Sequence, residues 1–214
     1  MTVRTLVALG LLVLLTGWVT ACGTASAPSP PAGVDELVVP MPSADPDDYV
    51  ADVDNPWFPL EPGTDASWEV ADGAGRQRID VSVERAASVD GVPVTARTTT
   101  SGAGEVVDLY AQDVAGNVWW FGRQGEWVAG TDGAEAGLAM PADPRVGDGY
   151  LAAYAEGVVE DRVTVVSREG DELVTEVRSD LEPGVVTTLT YERGTGPVEV
   201  DRVGTGFRTE RLVD

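Results

Sequence analysis

The sequence contains no histidine and no lysine, one cysteine, one isoleucine and two asparagines. Each absence removes chemistry. Without histidine there is no Ser-His-Asp or Cys-His nucleophile; without lysine there is no Schiff base and no Ser-Lys pair. Zinc centres built on imidazole or on several thiolates are ruled out with them, and a lone Cys22 forms no intrachain disulfide. Gly102-Ala103-Gly104 lacks the third glycine of a phosphate-cradling loop and falls between two strand patterns. The chain is left with carboxylates, hydroxyls, arginine and its backbone. Depletion of Lys, Ile and Asn together fits the codon usage of a GC-rich genome, with a salt-adapted surface as the alternative.

Charge narrows the partners further. All 14 basic residues are arginine, against 36 Asp plus Glu, for a formal net charge of −22. Nucleic acid is bound through cations that displace counterions, and the densest basic pair here is Arg76 with Arg78, so a nucleic-acid partner is not expected.

Hydrophobic runs are also scarce. The longest stretch, Leu6 to Leu15, falls short of the about 20 apolar residues that span a bilayer, but with Arg4 before it and small residues after it this stretch reads as a signal peptide. Val19-Thr20-Ala21-Cys22 directly follows and resembles the lipobox of bacterial lipoproteins, in which the cysteine is diacylated and becomes the first residue. The resemblance implies a membrane partner through an N-terminal lipid anchor at Cys22, on the extracytoplasmic face of the cell membrane. The expected domains are a signal peptide over 1–21, a lipidated, proline-rich tether over 22–48 and a β-rich domain over 49–214. The tether holds Pro28, Pro30, Pro31, Pro40, Pro42 and Pro46 and no aromatic residue, a composition that buries too little to fold.

From Asn55 onward the pattern has period two, the mark of strands buried on one face. Ile79, Val81 and Val83 alternate with Asp80, Ser82 and Glu84. Val92, Val94 and Ala96 follow an Asp90-Gly91 hairpin turn. Similar segments run over 106–112, 118–121, 162–167, 173–178, 185–191, 198–203 and 207–212. The stretch 133–140 is read as one short helix, weakened by Gly137, and Pro197 is read as marking an edge strand. The expected fold is all-β: a single antiparallel meander of roughly ten to twelve short strands forming a barrel, half-barrel or sandwich.

Asn55-Pro56-Trp57-Phe58-Pro59-Leu60-Glu61-Pro62-Gly63, followed by Trp68, resembles the opening of an uncharacterised family of bacterial secreted proteins and lipoproteins. Stretches 110–122, 140–148 and 181–186 are similar to the same family. The resemblance implies a β-rich extracytoplasmic domain, and it carries over no catalytic residue.

Three groups remain as candidate sites. Asp45, Asp47, Asp48, Asp52 and Asp54 cluster before the Asn55-Pro56 motif, and calcium wants several oxygen ligands at once, so calcium is the one cofactor weighed. Trp119 and Trp120 are adjacent and so face opposite sides of a strand; one is expected in the core and the other on the outer face or under a loop, and the outward one, with Trp127, is the candidate ligand contact. Glu105, Asp108, Glu126 and Glu135 lie near these aromatics and could supply the carboxylate pair of a glycosidase. The function expected first is a non-catalytic binding or interaction module for a protein, glycan or apolar ligand. A lipid or apolar-ligand carrier with a β half-barrel is the alternative, and a carboxylate-based glycan hydrolase the second.

Overall fold

A computed structural model of the chain describes residues 45–213. The leader, Cys22 and the tether up to residue 44 lie outside the described residues. Pro46–Asp48, which the sequence reading gave to the tether, form one 3-10 turn capped by the Asp45 side chain.

Fourteen strands follow: β1 (Tyr49–Val50), β2 (Asp65–Asp72), β3 (Gly75–Arg85), β4 (Thr95–Ser101), β5 (Gly104–Asp113), β6 (Val118–Arg123), β7 (Trp127–Val128), β8 (Glu135–Met140), β9 (Gly149–Ala155), β10 (Val159–Glu169), β11 (Glu172–Ser179), β12 (Val186–Glu192), β13 (Gly196–Val203) and β14 (Phe207–Leu212). Neighbours pair antiparallel in the order β5-β4-β3-β2-β14-β13-β12-β11-β10-β9-β8-β6, and β6 pairs back onto β5, so that twelve strands close a barrel. Of the three architectures open in the sequence, the closed barrel is the one formed. The short strands β1 and β7 flank it, on β5 and β6.

Register assigns the two faces. Ile79, Val81 and Val83 are buried while Asp80 between them and Glu84 after them are exposed, and residues paired across a ladder share a face. Following the pairs Trp68↔Ile79, Val83↔Arg97, Arg97↔Asp108 and Tyr110↔Trp120 around one half, and Leu173↔Tyr191, Val165↔Thr175 and Val163↔Tyr150 around the other, gives one continuous inner surface. The outer surface of β2, β3 and β10 to β14 carries Glu69, Asp80, Arg162, Glu176, Glu199 and Arg211. A lipid-facing wall would need an apolar band there, so this barrel wall faces water.

Closure depends on one close approach. The expected helix over 133–140 is instead strand β8, and the residue thought to weaken a helix is the one the strand requires. A Cβ on Gly137 would lie 2.0 Å from the Ala152 carbonyl oxygen and 2.4 Å from the Ala153 nitrogen of β9. Only glycine lets β8 and β9 meet this closely. Pro197 is corrected likewise: β13 is paired on both sides, and the proline sits near its start opposite Tyr191, where the register slips between Thr190 and Tyr191. A bulge tolerates the missing donor. Asp90 and Gly91 both take positive φ, 48° and 89°, the type I′ turn that the Asp-Gly pair announces.

Gly137→Ala is expected to cost about 3 kcal/mol in urea denaturation, the upper end for forced overpacking. Gly102→Ala, with nothing near its added methyl, should leave the midpoint almost unchanged.

Candidate functional site

A ring of about eight strands has an interior that its own side chains fill, and lumen size grows with strand number. Twelve strands leave space, and the chain before β2 occupies part of it. Asn55 is 2% exposed. Its amide nitrogen donates to the Gly116 and Pro141 carbonyls at 2.9 and 3.1 Å, its side-chain oxygen accepts from the Trp57 backbone at 2.9 Å, and its own backbone N–H donates to the Gln112 side chain at 2.8 Å. These bonds tie the segment to the β5–β6 turn and the β8–β9 connection. At its other flank Gly194, in the β12–β13 turn, donates to the Pro56 carbonyl. Between these ties Phe58 packs at 5.0 Å from Tyr110 and 6.5 Å from Tyr191, rings on opposite sides of the barrel. The Asn55–Leu60 motif is therefore a plug across one end of the lumen. Trp57, 1% exposed, lies beneath the guanidinium groups of Arg168 and Arg193.

Beside the plug a cleft of about 280 Å³ remains. Its walls are Trp68, Val81 and Val83 from β2 and β3, Leu60 and Pro59 from the plug, Pro197 and Leu212, with Arg97 as its one basic group and Glu61, Thr64, Asp65 and Thr195 as its other polar residues. Tyr110, Trp120 and Trp127 continue the aromatic chain down the lumen, with Tyr110 and Trp120 stacked at 6.5 Å and Trp120 edge-on to Trp127 at 5.0 Å. Toward the far end the inner wall becomes charged. Arg123 holds Asp108 through two bonds of 2.8 and 3.2 Å, and Arg208 pairs with Glu210 at 2.6 Å. Asp161, half-buried in the same region, has its carboxyl pushed up by burial, with the Ser179 hydroxyl and the Arg123 charge opposing.

The register places the candidate tryptophans. Trp119 and Trp120 do face opposite sides. The outward one, Trp119, is the buried one: its indole N–H donates to Asp113 at 2.9 Å, beneath an outer cover in which Tyr49 packs edge-on to Phe121 at 5.5 Å. The inward Trp120 is only half-buried, because the lumen it faces is not full. Trp127 is buried against it with Ala153 and Val159. Of the three aromatics named from sequence, only Trp120 keeps accessible surface in the lumen.

Asp47, Asp48, Asp52 and Asp54, weighed for calcium, lie in the segment that leads into the plug. Among the described residues no three acidic side chains are grouped to hold an ion. The Asp45 carboxylate caps the 3-10 turn by accepting from the Asp47 backbone, Asp52 pairs with Arg85, and Asp54 accepts from the Gln112 amide. Of the four carboxylates weighed for glycan hydrolysis, Asp108 and Glu126 both act on Arg123, and Glu135 is exposed at the start of β8. Asp108 is engaged by Arg123 on the inner wall, Glu105 lies an odd number of residues away on the other face of β5, and Glu126 is exposed in the turn before β7.

Sequence reasoning passed over Arg97, Tyr110, Tyr150, Thr175 and Tyr191. The apolar face of Ala96 and Leu109 is the outer face of β4 and β5, buried under β1 and the β3–β4 connection. The lumen side of β4 and β5 is the polar phase. The pairing of Arg97 with Val83 was the available signal, and it needs the register to be read.

No known protein family, curated protein or solved structure matches this chain.

Burial keeps the lumen phenols neutral. It pushes Tyr191 up to about 12 although the Thr175 hydroxyl and Arg97 pull the other way, and it raises Tyr110 and Tyr150 further. Tyr49, outside the barrel, is pushed up to about 12 by burial and then by Asp113 and Asp48. The fold thus holds protons that the unfolded chain releases above its ordinary pKa of 10.0, so stability is full below pH 10 and falls as pH rises toward 12. Absorbance at 295 nm should show these four phenols silent at pH 10 to 11 while the barrel stays folded, then ionising together as it unfolds. Smooth ionisation of all the tyrosines near pH 10 without unfolding would contradict the buried cluster.

Proposed function

We propose that this protein is a non-catalytic binding module, held by a lipid anchor on the extracytoplasmic face of the cell membrane, that takes a small apolar or amphipathic ligand in the lumen of its barrel. The supporting observation is the cleft beside the plug. At about 280 Å³ it is near the lower end of small-molecule sites, and it combines apolar walls around Trp68, Val81, Val83 and Leu212 with a few polar groups, Arg97 among them, as such sites do. The carrier reading and the binding-module reading meet here, with a closed barrel in place of the half-barrel considered from sequence. A nucleic-acid partner is disfavoured by an acidic, water-facing outer wall.

The anchor belongs to the proposal through the Val19-Cys22 resemblance, and so does the tether. A proline-rich segment of about 26 residues at about 3.1 Å each reaches ~80 Å, enough to hold an acidic barrel beyond the about 8 Å over which anionic headgroups repel it at physiological salt. The resemblance of the Asn55–Gly63 motif to secreted proteins and lipoproteins fits that placement.

Two measurements test the halves of this reading. The neutral fluorophore N-phenyl-1-naphthylamine is expected to bind the full chain saturably, one per barrel. Ala66→Trp, which puts an indole into the cleft from a half-exposed position, should abolish that binding with little change in melting temperature. Undiminished binding to the filled variant would remove the cleft from the account. For the anchor, Cys22→Ala is expected to abolish fatty-acid labelling and processing at this site; labelling that persists would show that the leader was misread.

A further inference from the structure

Resting on the lumen reading above, we infer that the cleft takes a ligand with a carboxylate head, held by Arg97 and the buried hydroxyls of Tyr150, Thr175 and Tyr191, and an apolar tail lying against Trp68, Val81 and Val83.

The polar half of this site is assembled from opposite walls of the barrel. Tyr150 on β9, Thr175 on β11 and Tyr191 on β12 all face inward by register. The Tyr150 and Thr175 hydroxyls are buried without a hydrogen-bond partner. Thr175 lies close enough to the Tyr191 hydroxyl to favour its phenolate, without the geometry of a formed bond. Buried polar groups are nearly always paired, and an orphan in a native fold calls for an explanation such as an ion, a water or a ligand. Two in one lumen point to something that belongs between them.

Arg97 supplies the charge from the facing wall. Its one side-chain hydrogen bond goes to the Thr99 hydroxyl at 3.2 Å, and it has no carboxylate partner among the described residues, although the chain carries 36 acidic side chains. Its cross-strand neighbour Asp108 is turned to Arg123 instead. The guanidinium acts on both Tyr110 and Tyr191 and lines the cleft, which the three hydroxyls themselves do not, so Arg97 is the group through which a head in the cleft would reach them.

The donor inventory selects the head group. Guanidinium has five N–H donors and no acceptor, and each hydroxyl has one proton to give. A carboxylate offers about four lone-pair sites and can meet arginine in a bidentate pair. An ammonium head would meet Arg97 as a like charge. A dianionic phosphate would leave one charge uncompensated, with Asp108 on the same wall.

Calorimetric titration of the full chain with decanoate, decan-1-ol, decyltrimethylammonium, decyl phosphate and acetate tests this. Decanoate is expected to bind one per chain and decan-1-ol about tenfold or more weakly, a difference of one good charged hydrogen bond. Decyl phosphate should bind more weakly than decanoate, while decyltrimethylammonium and acetate should show no binding. Arg97→Met should bring decanoate down to the decan-1-ol level without changing decan-1-ol, and Arg97→Lys should restore part of the difference. Tyr150→Phe, which removes an unpartnered hydroxyl, should weaken decanoate several-fold while leaving the melting temperature equal or higher; a lowered melting temperature would show the hydroxyl to be structurally paired and overturn its role. Equal binding of decanoate and decan-1-ol, unchanged in Arg97→Met, would overturn the carboxylate head and leave the lumen reading standing. Tighter binding of decyl phosphate would overturn the choice of carboxylate, and no binding of any decyl compound would overturn both readings.

Discussion

Closing the ring at twelve strands sets the terms for everything else in this molecule. A barrel of that circumference has an interior wider than its inward side chains fill, and an empty apolar interior forfeits the dispersion contacts that a packed core gains. The chain meets that constraint with its own N-terminal segment. Phe58 spans from Tyr110 to Tyr191, and Leu60 and Trp57 fill around it. The plug does not fill the whole lumen, and the unfilled part beside it is the cleft. Architecture and candidate site thus follow from one geometric fact.

A plug is useful only if it stays in place, and here backbone chemistry holds it. Asn55 is one of only two asparagines in the chain, and the other, Asn117, is equally committed: its amide donates to Asp113 and its oxygen accepts from the Ala142 backbone. Both join the β5–β6 turn to the β8–β9 connection. Carboxamides suit this work because they donate and accept at once without charge, where the plentiful aspartates could only accept. The far end of the lumen follows a different rule, with ion pairs such as Asp108–Arg123 on the inner wall. One end is sealed by neutral hydrogen bonds around an aromatic anchor and the other is wet.

Much of the fold was legible because alternation, Asp-Gly turns and glycine punctuation act locally. The strands around Ile79, Val163 and Leu173 read correctly since one face is buried and the other solvated. The β8 strand did not, because Ala134, Ala136 and Leu138 among glycines look like weak helix until the β9 backbone that requires Gly137 is in place. The site was less legible still. On β4, β5 and β6 both faces are covered, one by the lumen contents and one by β1 with the β3–β4 connection, so hydrophobicity alone marks no inside. Trp119 and Trp120 face opposite sides, and for that reason hydrophobicity alone does not say which of them keeps accessible surface. Arg97 looked like one more surface arginine. The aspartates before Asn55 looked like a cluster, yet Asp45 caps the 3-10 turn, Asp52 pairs with Arg85 and Asp54 accepts from Gln112.

On the proposal above, a barrel with a plugged end and a cleft beside the inward Arg97 serves to hold a small molecule near a membrane. The proposal's central claim is that ligand enters the lumen beside the plug, and not the apolar groove of about 400 Å³ on the outer face around Val92 and Phe121. Methyl-resolved NMR of the full chain with bound N-phenyl-1-naphthylamine tests that directly. Cross-relaxation from the naphthyl protons to the methyls of Val81, Val83 and Leu212 is the predicted result. Contacts to Val89 and Val92 instead would place the ligand outside the barrel and contradict the account.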